Sequence, residues 1–317
     1  MNDIAIAVDH LVKVYRRGAH EELRAVDDLS FTVKRGSIFG LLGPNGAGKT
    51  TTLRILTTLA RPSSGRATVL GHDVVTNPLD VRRHIGVVIQ EQAAELLLTV
   101  RDNLLTFARF HGLAGPAIRR RAAEVIEQFG LDSVAETKVQ DLSGGARRRV
   151  QVAKMFMVDV PVVFLDEFSS GMDAILKRSV IDMLREQAAG GRTIVLTTQI
   201  LTEAEELCDD ILIINKGRSI ARGDLHHLKT LVDRLYDVTL SFEHVPEDLN
   251  ASLVGFHPEE MTVGHGTVRL KLRDEESRVL ELVSQLARQG RLLRIEINGA
   301  SLEDIFVELT QKSGGRS

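Results

Sequence analysis

Gly43 to Thr50 reads GPNGAGKT, set between the apolar run IFGLL and the helix-like run TTLRILTTLA. Few eight-residue stretches restrict a chain more, because this one matches G-x-x-x-x-G-K-[ST] at every fixed position. Its glycines let backbone N–H groups turn inward as an anion-binding nest. A helix opening near Gly48 adds its positive dipole end beneath the phosphates. Lys49 is expected to reach the β- and γ-phosphates, and the Thr50 hydroxyl to ligate Mg²⁺. The nucleotide-contacting set is then Gly43, Pro44, Asn45, Gly46, Ala47, Gly48, Lys49, Thr50 and Thr51. A bare Gly-rich turn is the bland alternative, and the strand before and helix after argue against it. The expectation is a nucleoside triphosphate site.

The length of 317 residues exceeds what one core usually fills, so a large domain plus a small one is expected. A net charge of −3 gives no field for a polyanion, and 4% aromatics leave few platforms for stacking bases. Nucleic acid is not an expected partner. The single cysteine, Cys208, excludes an intrachain disulfide and a cysteine-based metal cluster. No apolar run approaches the roughly 20 residues of a membrane span, and no secretion signal is visible, so the expectation is cytosolic.

Taken in order, Ile4–Val14 alternates as a half-buried edge strand, ended by Tyr15 before a loop RRGAHEELR. A strand at Asp27–Val33 precedes Ile38–Leu42 and the phosphate loop. Short strands follow at Ala67–Leu70 and Ile85–Ile89, the latter ending at Gln90. From about Leu96 to Leu142 the pattern is helical, and Arg119, Arg120 and Arg121 are expected on a solvated face. The run VVFLD is continuously apolar, as a central parallel strand covered on both faces requires. A helix at about Asp173–Ala189, the strand TIVLTT, a helix from Leu201 and the strand ILII complete an α/β pattern with a mostly parallel sheet. In such sheets functional groups gather at strand C-termini, where Gly43, Gln90, Asp166 and Gln199 fall. Character changes near Leu225–Val232. The remainder reads βαββαβ plus a helix, a ferredoxin-like order with its hairpin at Gly264-His265-Gly266, and the tail KSGGRS is expected to be disordered.

Two further stretches carry chemistry. In LSGGA, Ser143 is a good N-cap, while Gly144 and Gly145 expose amides at a helix start. In VVFLDE, Asp166 ends the strand where a Mg²⁺-holding carboxylate belongs, and Glu167 is set to orient and deprotonate water. SSGMD follows directly, and TTQ ends the next strand.

GPNGAGKT, Gln90, LSGG and LDE running into SSGMD together resemble the nucleotide-binding subunit of ATP-binding-cassette (ABC) transporters. The likeness covers roughly Ile4 to Leu228. TTQILTEAEEL, GRSIARGDLHHL and a small C-terminal domain ending in SLEDIFVELT look most like the daunorubicin-resistance, drug-export branch. The resemblance implies a P-loop NTPase cassette over 1–230, with antiparallel edge strands and a helical subdomain at about 91–158. A ferredoxin-like regulatory or dimerisation domain is expected over 231–317. It implies ATP and Mg²⁺, with Thr50, Gln90 and Asp166 at the metal and Glu167, Gln199 and Lys49 catalytic. Tyr15 matches the position that stacks on adenine. Two subunits are expected to sandwich two ATP molecules, Ser143–Gly145 of one capping the γ-phosphate held by the other. A separate transmembrane permease is the implied partner and contacts the cargo, so the chain is expected to be cytoplasmic and peripheral on the inner membrane face.

Three positions depart from the family pattern: Ala146 for glutamine, Phe168 for proline, and Gln199 where most members have a switch histidine. Glutamine donates a hydrogen bond but carries no charge. One rival is a non-transport ABC ATPase acting on ribosomes or DNA; another, which Gln199 and Ala146 suggest, is a catalytically weak cassette acting as a nucleotide-dependent regulator.

Overall fold

Short apolar strands need cover on both faces, and in the computed structural model three of them have it. The structure describes residues 3–17, 21–88, 94–232, 235–246, 249, 253 and 255–314. The chain divides into two compact units, Met1–Arg222 and Gly223–Ser317.

In the first unit, β1 (Ile4–Arg17), β2 (Glu21–Lys34), β4 (Ser64–Val69) and β5 (His72–Asp73) form a sheet in the order β2-β1-β4-β5. A second sheet contains β3 (Ile38–Leu42), β6 (Ile85–Val88), β7 (Val162–Asp166), β8 (Thr193–Thr198), β9 (Asp210–Asn215) and β10 (Arg218–Gly223), ordered β10-β9-β3-β8-β7-β6. β3 runs parallel to β8 and β9, and β7 parallel to β6 and β8. Helices α1 (Lys49–Leu56), α2 (Pro78–Arg83), α3 (Val100–Phe110), α4 (Pro116–Gln128), α5 (Gly144–Ala153), α6 (Ala174–Ala189) and α7 (Leu201–Leu207) lie between strands.

Every residue of β3, β7 and β8 is buried, and the period of two divides their side chains between two cores. Ile38, Leu165, Ile194 and Leu196 pack with α3 to α6, into a core that holds Leu104, Val125, Val150 and Leu184. Phe39, Leu41, Phe164 and Val195 face the antiparallel sheet and α1, against Ile6, Leu29, Phe31 and Leu53. Register does the rest. Leu42 pairs with Thr198 and Asp166 with Thr197, so three strands end side by side and release their loops at one edge.

Three local expectations change. β1 is not an edge strand, because Ile6 and Val8 also pair with Val69 and Ala67 of β4. The expected loop at 16–24 is mostly strand, since the hairpin ladder continues through Tyr15–Leu23 and Arg16–Glu22, and the Arg16 guanidinium meets Glu22 at 3.2 Å. The arginine triplet on α4 is only partly solvated: Arg121 Nε donates to the Phe156 carbonyl at 3.0 Å.

The second unit holds α8 (Leu225–Lys229), β11 (Leu235–Phe242), β12 (Glu260–Val263), β13 (Thr267–Arg273), α9 (Glu276–Gln289), β14 (Leu292–Gly299) and α10 (Leu302–Gly314). Its strands order as β12-β13-β11-β14, all antiparallel. Val279, Leu282, Val283 and Leu286 of α9 recur at helical spacing and pack on Val238, Leu240, Leu270 and Leu272. α8 packs with α10, so this unit starts at Gly223 rather than at the expected 231. Of the short helix expected over PEDLNASL only Pro246, Leu249 and Leu253 are described; the rest lies outside the described residues. α10 reaches Gly314, into the tail assigned to disorder.

Candidate functional site

The β3–α1 turn cannot accept side chains at its tightest points. A Cβ at Gly43 would come within 2.3 Å of the Ile214 carbonyl oxygen, and one at Gly48 within 2.3 Å of the Ala25 carbonyl oxygen. Gly48, with φ 106°, is also the N-cap of α1. No side chain caps this helix, and its first amides face the turn, an arrangement suited to an anion.

Lys49 is 6% exposed. Its Nζ donates to the carbonyls of Gly43 at 2.7 Å and Pro44 at 3.1 Å, which holds the ammonium inside the turn. Burial pushes its pKa below that of an ordinary lysine, and the nearby Glu167 and Asp166 charges oppose that shift. An approaching phosphate adds negative charge and favours the ammonium further.

Asp166 is 1% exposed and held by two hydroxyls. Thr50 Oγ1 donates to Oδ2 at 3.2 Å, and Thr197 Oγ1 donates to Oδ1. An alcohol and a carboxylate so placed form the hard oxygen set that Mg²⁺ takes. The donors fit that ion. Gln90, the third expected ligand, lies outside the described residues.

Glu167 is half-buried and has φ 49°, so the chain turns sharply where it leaves β7. Its amide donates to the Thr197 carbonyl at 3.0 Å. A cavity of about 330 Å³ is lined by Glu167, Tyr15, Asn45, Lys49, Thr50 and Thr51, among others. Tyr15, expected beside the base, therefore stands on the same cavity as the phosphate loop, with Lys13 Nζ 4.9 Å from its ring centroid.

Ser143 is the N-cap of α5, its hydroxyl accepting from the Ala146 amide at 3.2 Å. Alanine at 146 leaves that cap intact because only its backbone takes part. Ser143 and Gly144 are exposed. Gly145 lies against Gly171, where an added Cβ would come 2.4 Å from the carbonyl oxygen. Gly144 and Gly145 line a separate cavity of about 480 Å³, shared with Arg148, Gln151 and Glu167. Phe168, the second departure, is fully buried in the helical-side core, so an aromatic ring fills the position. Gln199 is exposed just beyond β8.

Arg148 was hidden within RRR at the sequence level. It is 8% exposed, donates to the Asp166 carbonyl and to the Glu167 carbonyl at 2.8 Å, and reaches Gln151 Oε1 at 2.7 Å. It ties α5 to the residues that carry the two carboxylates. Cys208 is half-buried beside Gly40, and desolvation raises its thiol pKa, which favours the protonated thiol. Among the described residues no cluster of three or more His, Cys, Asp or Glu forms a metal site, and no helix is long and apolar enough to cross a membrane.

A family model described as "ABC transporter" matches residues 26–170. Daunorubicin resistance ATP-binding protein DrrA2 of Streptomyces coeruleorubidus is 38% identical, covering 98% of this chain and 96% of that protein. Doxorubicin resistance ATP-binding protein DrrA of Mycobacterium tuberculosis is 36% identical over 98% and 94% of the two chains. Nod factor export ATP-binding protein I of Ralstonia nicotianae is 37% identical over 93% and 91%. Among solved structures, an ATP binding subunit of an ABC transporter superposes with TM-score 0.65 at 27% identity, over 72% of this chain and 92% of that one. The dimeric structure of MJ0796, a bacterial ABC transporter cassette, superposes with TM-score 0.64 at 25% identity, over 69% and 98%. With a buried lysine in the phosphate loop, a threonine–aspartate pair beside it and similarity along nearly the whole chain, this protein belongs to the ABC transporter family, among its ATP-binding, ATP-hydrolysing subunits.

Proposed function

We propose that this ATPase drives export of drug-like, lipid or other hydrophobic molecules through a separate membrane permease. What carries the proposal is similarity over nearly the full length to proteins named for daunorubicin and doxorubicin resistance, joined to an intact ATP site. The similarity extends through the second unit, to which we assign a regulatory or dimer-stabilising role. The cargo contacts the permease, and this chain lies peripherally on the inner membrane face.

Residue roles follow from chemistry. Tyr15 stacks on the adenine, a contact worth roughly 1–3 kcal/mol per base. The amides of Gly43 to Gly48 and the Lys49 ammonium bind the β- and γ-phosphates, with Thr51 beside them. Thr50, Asp166 and Gln90 hold Mg²⁺, which when bound neutralises charge developing on the phosphate oxygens. Glu167 accepts the proton of the attacking water. Ser143, Gly144 and Gly145 cap the γ-phosphate held by a second copy of the chain; in support, none of the three lines the cavity of its own phosphate loop.

Export is tested in inverted membrane vesicles from cells that express the chain with its permease. ATP-dependent accumulation of daunorubicin is the expected result, and none without the chain. Equal uptake with and without it would remove the export proposal.

Gln199 supplies a neutral hydrogen-bond donor to the γ-phosphate. Neutral hydrogen bonds are roughly half as strong as charge-assisted ones, so Gln199→His is expected to leave hydrolysis unchanged or raise it modestly. Gln199→Ala removes the donor and is expected to slow hydrolysis by about 10²-fold or more while ATP still binds. Steady-state turnover of the three proteins at saturating ATP decides this, and wild-type turnover in the alanine variant makes Gln199 a bystander.

A further inference from the structure

Glu203, on α7, is 1% exposed. A carboxylate at such depth is costly unless it is paired and hydrogen-bonded, and here three elements supply partners. From the loop after β7, Ser169 Oγ donates to Oε1 at 2.5 Å. From the end of β8, Thr198 Oγ1 donates to Oε2 at 2.9 Å. From α6, Lys177 Nζ stands 2.7 Å from Oε1. The Thr198 hydroxyl also accepts from the Ile200 amide at 2.9 Å, which turns the chain directly around Gln199.

Where these contacts fall matters more than their number. The β7–β8 ladder closes at Asp166 and Thr197, and the Glu167 amide makes its last hydrogen bond, to the Thr197 carbonyl at 3.0 Å. Past that point no main-chain bond joins the two segments among the described residues, although Thr198 still pairs with Leu42 of β3. Ser169 lies two residues beyond Glu167, and Thr198 immediately precedes Gln199. Glu203 thus joins the two segments just where the backbone ladder stops.

The geometry points to Glu203 as a positioning residue for ATP hydrolysis, the side-chain tie that holds Glu167 and Gln199 in register beyond the ends of β7 and β8. It rests on the roles assigned above to those two residues. Glu203 does not line the phosphate-loop cavity. Its effect is on where Glu167 and Gln199 stand, so it acts on turnover and not on affinity, which Lys49 and the phosphate loop set. A misplacement of about 1 Å at a reacting group costs on the order of 10²-fold in rate.

The test uses the full chain. Glu203→Ala should lower kcat by about 10²-fold with KM and Kd for ATP within about twofold of wild type. Because that variant leaves Lys177 without its carboxylate, Glu203→Met combined with Lys177→Met is measured beside it. The pair removes both charges together, a change proteins often tolerate. Low kcat with normal ATP affinity and an unchanged melting temperature in this double variant supports the tie. Wild-type kcat there shows that Glu203 serves only to neutralise Lys177, and overturns it. Ser169→Ala provides a cycle: alone it should slow turnover, and added to Glu203→Met/Lys177→Met it should cost nothing more, because the contact is already gone. Full additivity would overturn the proposal too. Glu167→Gln run in parallel separates the two assignments. If it hydrolyses normally, the base is wrong; if it is slow while the Glu203 variants are normal, only the tie is.

Discussion

Lys49→Ala is expected to lose tight ATP binding and, with it, hydrolysis. The ammonium is the one cation buried inside the phosphate turn among the described residues, 2.7 and 3.1 Å from two main-chain carbonyls. Truncation leaves those carbonyl oxygens facing whatever enters the turn. A polyphosphate there loses its nearest cation and meets two partial negative charges instead. Hydrogen bonds to charged groups contribute roughly 1.5–3 kcal/mol each, so losing one or two weakens affinity by about 10- to 10⁴-fold. Titration with a fluorescent ATP analogue reads this directly. Wild-type affinity in the variant would contradict the nucleotide site itself.

The second large effect is in chemistry rather than binding. Glu167→Gln should retain ATP while hydrolysis falls by roughly 10²–10⁴, the usual worth of a positioned base. The exchange is nearly isosteric, and the backbone around it is fixed independently of the side chain. The Glu167 amide is anchored on Thr197 and its carbonyl on Arg148. The variant should therefore accumulate as an ATP-bound dimer, visible by size-exclusion chromatography with ATP and Mg²⁺, that wild type forms only transiently. Normal hydrolysis would show that another group takes the proton.

What could be read in the sequence was whatever depends on neighbours along the chain. The phosphate loop is eight consecutive residues, and Asp166 and Glu167 end an apolar run whose length and composition announce a buried strand. The first strand of the second unit also announces itself by alternation, as in Val238, Leu240 and Phe242. Features that depend on distant partners were not legible. β1 looks like an edge until β4, more than fifty residues later, pairs with it. The polar hairpin at Arg16 and Glu22 continues because a ladder of amides does not need apolar side chains. Arg148 and Glu203 gave no signal, since an arginine among arginines and a glutamate in LTEAEEL both suit a solvated helix face. Only folding shows that Arg148 reaches the end of β7 and that Glu203 reaches the segments at the ends of β7 and β8, with sequence separations of 18 and 34 residues to Asp166 and Ser169.

The division of β3, β7 and β8 between two cores has a consequence for how the molecule opens. Their alternate side chains belong to different clusters, so neither cluster can loosen without freeing strands the other also grips. Amide hydrogens along these three strands should exchange only through opening of the whole first unit, at a rate that reports its global stability. Just past their ends the grip differs: Phe168 is still in the helical-side core, whereas Gln199 and Ile200 are exposed and lie outside it.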